Sequence, residues 1–380
     1  MKYYILPFFH ILWLSLLFQQ SLSRNSDCQV IENERITQRL LFNPQSDFCI
    51  QIKNCLFTSI SCDIFDNGGA ISINNDLTTL SVFQTSFYDC NCYQKKGGAI
   101  YLNVKNSSID QCCAIQCFSR YGLFFHSIVN QSFSIHMSTI VDCNSGDSLF
   151  TCSTLNSAGG SQFISYVNSS SNNLNFYNAA GISIMPDDLL MGFCTFANNI
   201  GESIISINYL IDQSFHQRTL NYINVVNNTL RTKSPFPQAI AVFFVDNITL
   251  SNFIFQMNSA DYSGTLDFYT LYEAQNVHTL IVDSIFDHFS TRFPMETINC
   301  SINTSENTYD FQFLNTEICD GYIPPSSSSS KRKIIIITCS AVGGVLCVII
   351  IIVIIFALIK KRNTSKNNEI IYPLITSEKN

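Results

Sequence analysis

The chain has 380 residues and a formal net charge of -7, and only 13% of its residues are charged. This net charge is too small to indicate a class of binding partner. No run of basic residues interleaved with aromatic residues occurs, so the sequence predicts no nucleic-acid binding. With 31 Phe, a single Trp and many uncharged polar residues, the composition is typical of a folded β-rich protein and leaves few groups for catalysis.

The N-terminus has the parts of a secretory signal peptide. Lys2 precedes an apolar run at residues 5–18, and residues 21–23 supply small side chains for cleavage after Ser23. The run is too short to span a bilayer comfortably, and Pro7 lies within it. We therefore expect residues 1–23 to be removed. A retained anchor is the alternative, and it would also place the middle of the chain outside the cell.

Residues 47–320 contain a repeat that predicts a solenoid. We expect the charged segment 24–46, which precedes it, to cap the first coil. Short runs that alternate apolar and polar residues return about every 28 residues, which is the pattern of strands with one buried face. Gly or Ala pairs precede three of them, where a turn needs small residues. The copies are Ala70–Asn74, Ala99–Asn103, Gly181–Ile184, Ile204–Asn208, Ala239–Val242 and Gly264–Phe268, and the spacing predicts two weaker copies near Phe125 and Phe150.

A second signal lies upstream of the strands, where a large apolar residue stands three positions before Cys or Asn. It occurs at Phe87-x-x-Cys90, Ile140-x-x-Cys143, Phe196-x-x-Asn199, Val225-x-x-Asn228 and Phe255-x-x-Asn258. Short strands that cannot bury their faces alone predict an all-β fold, a right-handed parallel β-helix in which each coil covers the next. Stacked Asn or Cys at the recurrent corner would satisfy backbone groups or bridge coils.

The same motifs carry a family resemblance. Gly68-Gly69-Ala70-Ile71 and Gly97-Gly98-Ala99-Ile100, with Phe196-x-x-Asn199 and Phe255-x-x-Asn258, resemble the GGA(I/L/V) and FxxN repeats of the polymorphic outer membrane protein family. The resemblance covers roughly residues 49–290. It implies a β-helical adhesin, since the bacterial members are of that kind and similar repeats occur in surface proteins of parasitic protists. The C-terminus departs from the bacterial pattern, so the resemblance is to the eukaryotic type.

The cysteines predict disulfides. Of the 16 Cys, Cys339 and Cys347 lie in a C-terminal apolar run, which leaves 14, an even number behind a signal peptide. Zinc is the alternative, but no Cys-x-x-Cys spacing or His pair occurs, so we expect no metal and no cofactor. Seven Asn-x-Ser/Thr sequons are candidate glycosylation sites: Asn106, Asn130, Asn168, Asn227, Asn247, Asn299 and Asn303.

The spacing of four cysteines predicts a ladder. If Cys62, Cys92, Cys117 and Cys143 occupy one corner of successive coils, their Cα atoms lie about 4.8 Å apart, within the disulfide range. This predicts bonds from Cys62 to Cys92 and from Cys117 to Cys143, with a stack of free buried thiols as the alternative. A further bond from Cys300 to Cys319 would close the last coil.

The C-terminus predicts a membrane anchor. Residues 321–333 contain two prolines and five serines and read as a stalk. Residues 334–359 carry no charge, and as a helix they would be about 39 Å long against about 30 Å of hydrocarbon. A buried core helix is the alternative, but the chain offers no second helical pattern. Basic residues flank both ends, so the signal peptide sets the orientation, with residues 360–380 in the cytoplasm.

These features predict a single-pass type I glycoprotein of the plasma membrane, which presents its ectodomain for adhesion or for binding an extracellular protein or glycan. The alternative is an endocytic or sorting receptor of the endomembrane system. Its basis is the tail, where Tyr372 and Ile375 fit the Tyr-x-x-Φ pattern that a trafficking adaptor can bind as an added strand.

A polysaccharide-active β-helix is the remaining alternative. Such an enzyme needs clustered acids, or an acid beside Arg or Lys, within hydrogen-bond reach. Asp187-Asp188 is the sole adjacent acidic pair of the ectodomain, and no hydrolase, metalloprotease or phosphate-binding motif occurs. The sequence therefore favours a protein that is not an enzyme.

Overall fold

The computed structural model describes residues 28–44, 46–63, 66–144, 153–174, 179–208, 218–231, 240–243, 247–259, 266–268, 278–286, 296–302 and 308–311. Within these residues the fold is all-β, and every pair of neighbouring strands is parallel. Each coil hydrogen-bonds to the coils before and after it, so the chain forms a parallel β-solenoid, the class of fold that the repeat predicts.

The strands form three main faces and a short fourth side. The first face holds β3 (Leu40–Phe42), β6 (Ile71–Asn74), β15 (Leu155–Ala158), β18 (Ala179–Met185), β21 (Ser203–Ile207), β24 (Ala241–Phe243) and β26 (Leu266–Phe268). The second holds β1 (Gln29–Glu32), β4 (Phe48–Lys53), β7 (Thr78–Phe83), β16 (Ser161–Ser165), β27 (His278–Val282) and β29 (Glu296–Ile298). The third holds β2 (Arg35–Ile36), β5 (Leu56–Thr58), β8 (Ser86–Tyr88), β11 (Cys113–Ile115), β14 (Thr139–Val141), β17 (Asn168–Ser170), β28 (Ile285–Phe286) and β30 (Ser301–Ile302).

Five long strands serve two faces each. The first and second faces share β10 (Ile100–Asp110) and β13 (Phe125–His136), and the second and third share β19 (Leu189–Ala197), β22 (Arg218–Val226) and β25 (Asn247–Gln256). The short fourth side contains β9 (Asn91–Lys96), β12 (Phe118–Tyr121), β20 (Ile200–Gly201) and β23 (Thr229–Leu230). Alternate residues of the main faces point inward and stack on the neighbouring coils in one continuous core.

The first face confirms the repeat. Ile71 pairs with Ile100, and Ile100 pairs with Phe125, so three predicted copies lie in register. The ladder continues through Leu155, Ile182, Ile205, Ala241 and Leu266. It takes seven steps from Ile71 to Leu266, the number that the spacing predicts.

Two of the copies lie elsewhere than predicted. The place expected for Phe150 is taken by Leu155, and Phe150 itself lies outside the described residues. In a later copy Ala241 pairs with Ile205, one residue beyond the Ile240 that we aligned with it. The steps vary from 23 residues, between Ile182 and Ile205, to 36 residues, between Ile205 and Ala241, so an average period cannot fix the register.

The third face explains the second sequence signal. Phe87, Ile140, Phe196, Val225 and Phe255 all lie on its ladder and are fully buried. Each is followed by a corner at which a residue takes positive φ, such as Asp89 at 50° and Asn198 at 56°. The Cys or Asn of the motif comes next and points into the solenoid.

The asparagines of this corner form a continuous hydrogen-bonded ladder. The Asn199 Oδ1 atom accepts from the Asn172 backbone N–H at 3.0 Å, and the Asn228 Oδ1 atom accepts from the Asn199 N–H at 2.9 Å. Their Nδ2 groups donate to carbonyls of the preceding coil, as Asn199 does to Ser169 at 2.8 Å. The predicted role of stacked Asn, to satisfy buried backbone groups between coils, is therefore what the structure shows.

The two positions of the GGA motif require glycine for different reasons. The first takes positive φ, +76° at Gly68 and +72° at Gly97, which side chains disfavour. The second permits the close approach of two coils, because a Cβ atom on Gly98 would lie 1.8 Å from the carbonyl oxygen of Leu123. Gly69 is equally confined, with the Gly98 carbonyl oxygen 2.0 Å from the place of its Cβ.

The predicted N-terminal cap is largely described, whereas the other predicted terminal segments are not. Segment 24–46, expected as a cap, contributes β1, β2 and β3 in register with β4, β5 and β6, so it forms a coil of its own. The predicted signal peptide, stalk, membrane helix and tail lie outside the described residues. In the part of the chain that the structure does describe, no helix has the length and apolar character needed to span a bilayer.

Candidate ligand-binding surface

The most distinctive surface lies on the fourth side, where β9 and β12 pair outside the main sheet. The four steps from Cys92 to Lys96 face only two from Ser119 to Tyr121, so β9 bulges outward. Tyr93, within the bulge, is 69% exposed. The residues that these strands present make up what we call the cationic-aromatic patch: Tyr93, Lys95, Lys96, Phe118, Arg120 and Tyr121.

The rings of the patch are held in place. Tyr93 packs against Phe118 with ring centroids 4.7 Å apart, and the Arg120 guanidinium lies 5.5 Å from the centre of the Tyr121 ring. The base of the bulge is fixed by the disulfide between Cys92 and Cys62. The patch is therefore a preformed surface of flat rings and cations.

The patch is positively charged on a chain of net negative charge. Among the described residues one ion pair occurs, between Arg39 and Asp66 at 2.7 Å. The ammonium groups of Lys95 and Lys96 consequently form no ion pair with any carboxylate that the structure describes. Sequence reasoning missed this patch because its halves are separated by a coil of sequence, and only the pairing of β9 with β12 brings them together.

A histidine borders the patch. His126 is buried and stacks on Tyr101 with centroids 5.8 Å apart at an interplanar angle of 7°. Burial, and then the charge of Lys96, lower the pKa of His126 from 6.5 to about 3. The imidazole is therefore neutral at physiological pH.

Acidification is expected to weaken the fold through His126. A lowered His pKa means that the unfolded chain binds the proton more readily, so the stability is present above pH 6.5 and is lost as the pH falls toward 3. From pH 7 to pH 5 this group alone lowers the free energy of unfolding by about 2 kcal/mol. Asp110 acts oppositely, because burial raises its pKa to about 6 and its protonation in that range adds about 1 kcal/mol.

Urea unfolding at pH 7 and pH 5 separates the two groups. We expect the unchanged chain to lose unfolding free energy between pH 7 and pH 5. The His126→Gln variant should not show this loss. Asp110→Asn should instead deepen the loss. If the pH difference is the same in the His126→Gln variant and the unchanged chain, His126 is not the group that responds.

The four cysteines of the predicted ladder lie in two columns instead of at one corner. The predicted disulfide between Cys62 and Cys92 is present, with S–S 2.16 Å and Cα atoms 5.0 Å apart. On the next coil the residue in register with Cys92 is Ser119, so no cysteine extends this column.

Cys117 and Cys143 belong to the inward column of the motif corner with Cys90, and all three are free, so the predicted bond between Cys117 and Cys143 is absent. Like the asparagine side chains of this corner, two of the thiols donate hydrogen bonds to carbonyls of the preceding coil. The Sγ atoms of Cys90 and Cys117 donate to the carbonyls of Phe57 and Phe87, both at 3.8 Å. Burial raises the pKa of Cys90 and Cys143, which suppresses the reactive thiolate.

The other cysteines also depart from the prediction. Cys300 is a free thiol whose Sγ donates to the Ile281 carbonyl at 3.6 Å, so it does not bond Cys319, which lies outside the described residues. An unpredicted disulfide joins Cys28 to Cys49, which are neighbours on the second face only 21 residues apart. Cys113 is disulfide-bonded as well.

The glycosylation candidates differ in exposure. The side chains of Asn130, Asn227 and Asn299 are exposed, whereas those of Asn106 and Asn168 are half-buried. Asn247 begins β25, and Asn303 lies outside the described residues, as do Tyr372 and Ile375 of the tail.

The structure also places possible acid-base groups. Asp187 lies in a turn, and Asp188 accepts a hydrogen bond from Ser161 at 3.4 Å. On the second face Asp110, His136 and Ser165 occupy one position of three successive coils, and His136 Nδ1 lies 2.8 Å from Ser165 Oγ. The Asp110 carboxylate makes no ion pair with His136, so the row lacks the orienting contact of a catalytic triad.

Comparison with known proteins adds no relative. No family model matches the chain, and no curated protein or solved structure does so either. The class that the fold and surface define is that of a parallel β-solenoid protein with an exposed cationic-aromatic patch. The likeness to the polymorphic outer membrane protein family is carried by the motifs alone.

Proposed function

We propose that this protein is a single-pass, cell-surface glycoprotein whose right-handed β-helical ectodomain binds an extracellular ligand, in the manner of an adhesin. The observation that carries the proposal is the cationic-aromatic patch, because the exposed Tyr93 ring lies on a rigid scaffold beside basic side chains, and these are features of binding surfaces. The apolar stretch 334–359 and the signal peptide 1–23 support membrane anchoring.

The chemistry of the patch favours an anionic glycan. Lys95, Lys96 and Arg120 can pair with carboxylate or sulfate groups, and a guanidinium can do so with two parallel hydrogen bonds. The exposed face of Tyr93 and the tilted ring of Phe118 offer flat apolar area for the C–H faces of a sugar ring. A neutral glycan would leave the cations unused.

The double substitution Lys96→Gln and Arg120→Gln tests this proposal. Loss of two charge-assisted contacts is expected to weaken binding to a sulfated or uronic-acid polysaccharide at least tenfold, by about 1.4 kcal/mol or more. The dependence of binding on salt should become shallower. Binding would be measured with the purified chain on immobilised heparin-type and neutral polysaccharides.

Lys105→Gln is the matched control, because Lys105 lies on β10, outside β9 and β12, and is half-buried like Lys96. Its binding should equal that of the unchanged chain. Equal loss in all variants would indicate a general effect of net charge, and unchanged binding in the double variant would remove the patch from the proposal. Membrane anchoring is checked separately, by surface labelling of intact cells.

A further inference from the structure

A second surface feature lies at the corner between the second and third faces. Each coil passes this corner through a residue at positive φ, and in three successive coils the residue is aromatic: Tyr166, Phe193 and Tyr222. Tyr166 stacks on Phe193 at 4.9 Å and 9°, and Phe193 stacks on Tyr222 at 5.1 Å and 8°. We call these three residues the aromatic column.

The column is particular to this part of the solenoid. At the same corner most of the other coils carry polar side chains at positive φ, namely Asn33, Asn54, Gln84, Gln111, Asn252, Asp283 and Asn299, and the coil before Tyr166 carries Met137. The corner geometry therefore does not require aromatic residues, and half-buried rings on the outside do not fill the core. Their stacking builds an apolar stripe along the solenoid.

A short segment of the chain lies on this stripe. Residues 308–311, which we call the strap, place the Tyr309 ring edge-on to Tyr222 at 5.4 Å and 77°, and the Phe311 ring edge-on to Phe193 at 6.0 Å and 86°. Thr308 and Asp310 are exposed, so the strap alternates outward and inward residues. The centroids of the two inward rings lie 5.6 Å apart, near the spacing of about 4.8 Å between coils, so each ring meets one coil.

The backbone of the strap is recognised as well. The Asn224 Nδ2 group donates to the Tyr309 carbonyl at 2.8 Å, and the Asn224 Oδ1 atom accepts from the Tyr309 N–H at 3.1 Å. Asn224 is 2% exposed and is steadied by Thr195, whose Oγ1 accepts from Nδ2 at 3.1 Å. A buried amide thus offers the donor and acceptor that a neighbouring strand would offer. Burial of the phenol, with Tyr222 and Asp283 nearby, raises the pKa of Tyr309 to about 12.

We propose that the aromatic column and Asn224 form a docking site for an extended peptide with aromatic side chains at alternate positions, and that the strap is its displaceable occupant within the chain. The contacts are those of a peptide complex, two rings on rings and a pair of backbone hydrogen bonds, without a covalent link or an interlocked core. A partner with the same alternation would replace the strap by making the same contacts.

The test uses the full-length chain in detergent micelles and a fluorescein-labelled peptide with the sequence of residues 307–312. Removing the resident rings with Tyr309→Ala and Phe311→Ala is expected to raise the affinity for this peptide at least tenfold over the unchanged chain. Adding Asn224→Ala or Tyr222→Ala should lower it at least tenfold again. Asn103→Ala is the matched control, since Asn103 pairs with Asn74 on the outer surface far from the strap.

A strap variant that binds no better than the unchanged chain would overturn the proposal. So would equal affinity for a peptide in which Ser replaces the Tyr and the Phe. Limited chymotrypsin digestion of the unchanged chain provides a second measurement that needs no variant. Excess labelled peptide should speed cleavage after Tyr309 and Phe311 at least threefold, and an unaltered rate would show that the strap is not displaced.

Discussion

Replacing Gly98 with alanine is expected to destabilise the protein by more than about 4 kcal/mol, at the far end of single-residue effects. The added Cβ atom would lie 1.8 Å from the Leu123 carbonyl oxygen and 2.8 Å from that of Phe118. Both are backbone atoms, so no side chain can rotate away. Relief requires the coils to separate, which breaks the hydrogen bond from the Gly98 N–H to the Gly122 carbonyl, 2.9 Å long here.

Gly192→Ala is the control for this prediction. Gly192 is also buried within a strand, but the nearest atom to its added Cβ, the carbonyl oxygen of Asn221, is 3.1 Å away. A small shift accommodates the methyl group, and alanine loses less chain entropy than glycine, so we expect a change within about 1 kcal/mol. Urea unfolding of the purified variants measures both. A Gly98→Ala variant as stable as Gly192→Ala would show that the coils are not in close contact.

Much of the solenoid could be predicted because its core positions repeat in one dimension. The alternation around Ile71 and Ile100 reports which side chains face inward, and the three-residue step from Phe196 to Asn199 reports a corner of fixed geometry. Both signals come from neighbours in sequence. The pairing of Ile71 with Ile100 therefore follows directly from the motif.

Register failed where insertions between faces change the length of a coil. The copy that the average period places near Phe150 lies at Leu155 instead, and the copy aligned by its motif at Ile240 falls one residue before Ala241. The cysteines failed for a related reason. Cys90 and Cys92 are two residues apart at a corner, and only the pairing of Cys92 with Ser119 in the folded chain shows that Cys90 is the one in line with Cys117.

The candidate sites could not be predicted from the sequence, because each is formed by residues on different coils. Lys96 and Arg120 each look like isolated surface charges until β9 pairs with β12. Tyr222 and Tyr309 are 87 positions apart, and no periodicity links a strap to the column on which it lies. Their contacts depend on how the chain returns over the outside of the coils, which local patterns do not record.

Asn199→Ala is the second large effect that we expect, about 3 kcal/mol or more of lost unfolding free energy. The Asn199 side chain is fully buried and makes three hydrogen bonds: it accepts from the N–H and Nδ2 groups of Asn172 and donates to the Ser169 carbonyl. Alanine leaves the buried Asn172 N–H without an acceptor and removes the donor to the Ser169 carbonyl, at about 1–3 kcal/mol for each unsatisfied group, whereas Asn172 Nδ2 keeps its bond to the Ile140 carbonyl. The damage reaches two coils, since Asn172 in turn bonds the N–H of Cys143 at 3.0 Å.

Asn198→Gly isolates the ladder from the corner itself. Asn198 is the exposed neighbour at φ 56°, a conformation that glycine adopts without strain, and its Oδ1 atom accepts a surface hydrogen bond from the Asn227 Nδ2 group at 2.6 Å. We expect a loss below about 1 kcal/mol. Asn199→Asp gives the deciding comparison, because it keeps the acceptor for the Asn172 N–H but removes the donors to Ser169 and buries a carboxylate. If the interior ladder holds the coils together, Asn199→Ala and Asn199→Asp both lower the urea midpoint while Asn198→Gly does not; equal midpoints in all three would mean that apolar stacking alone sets the stability of this corner.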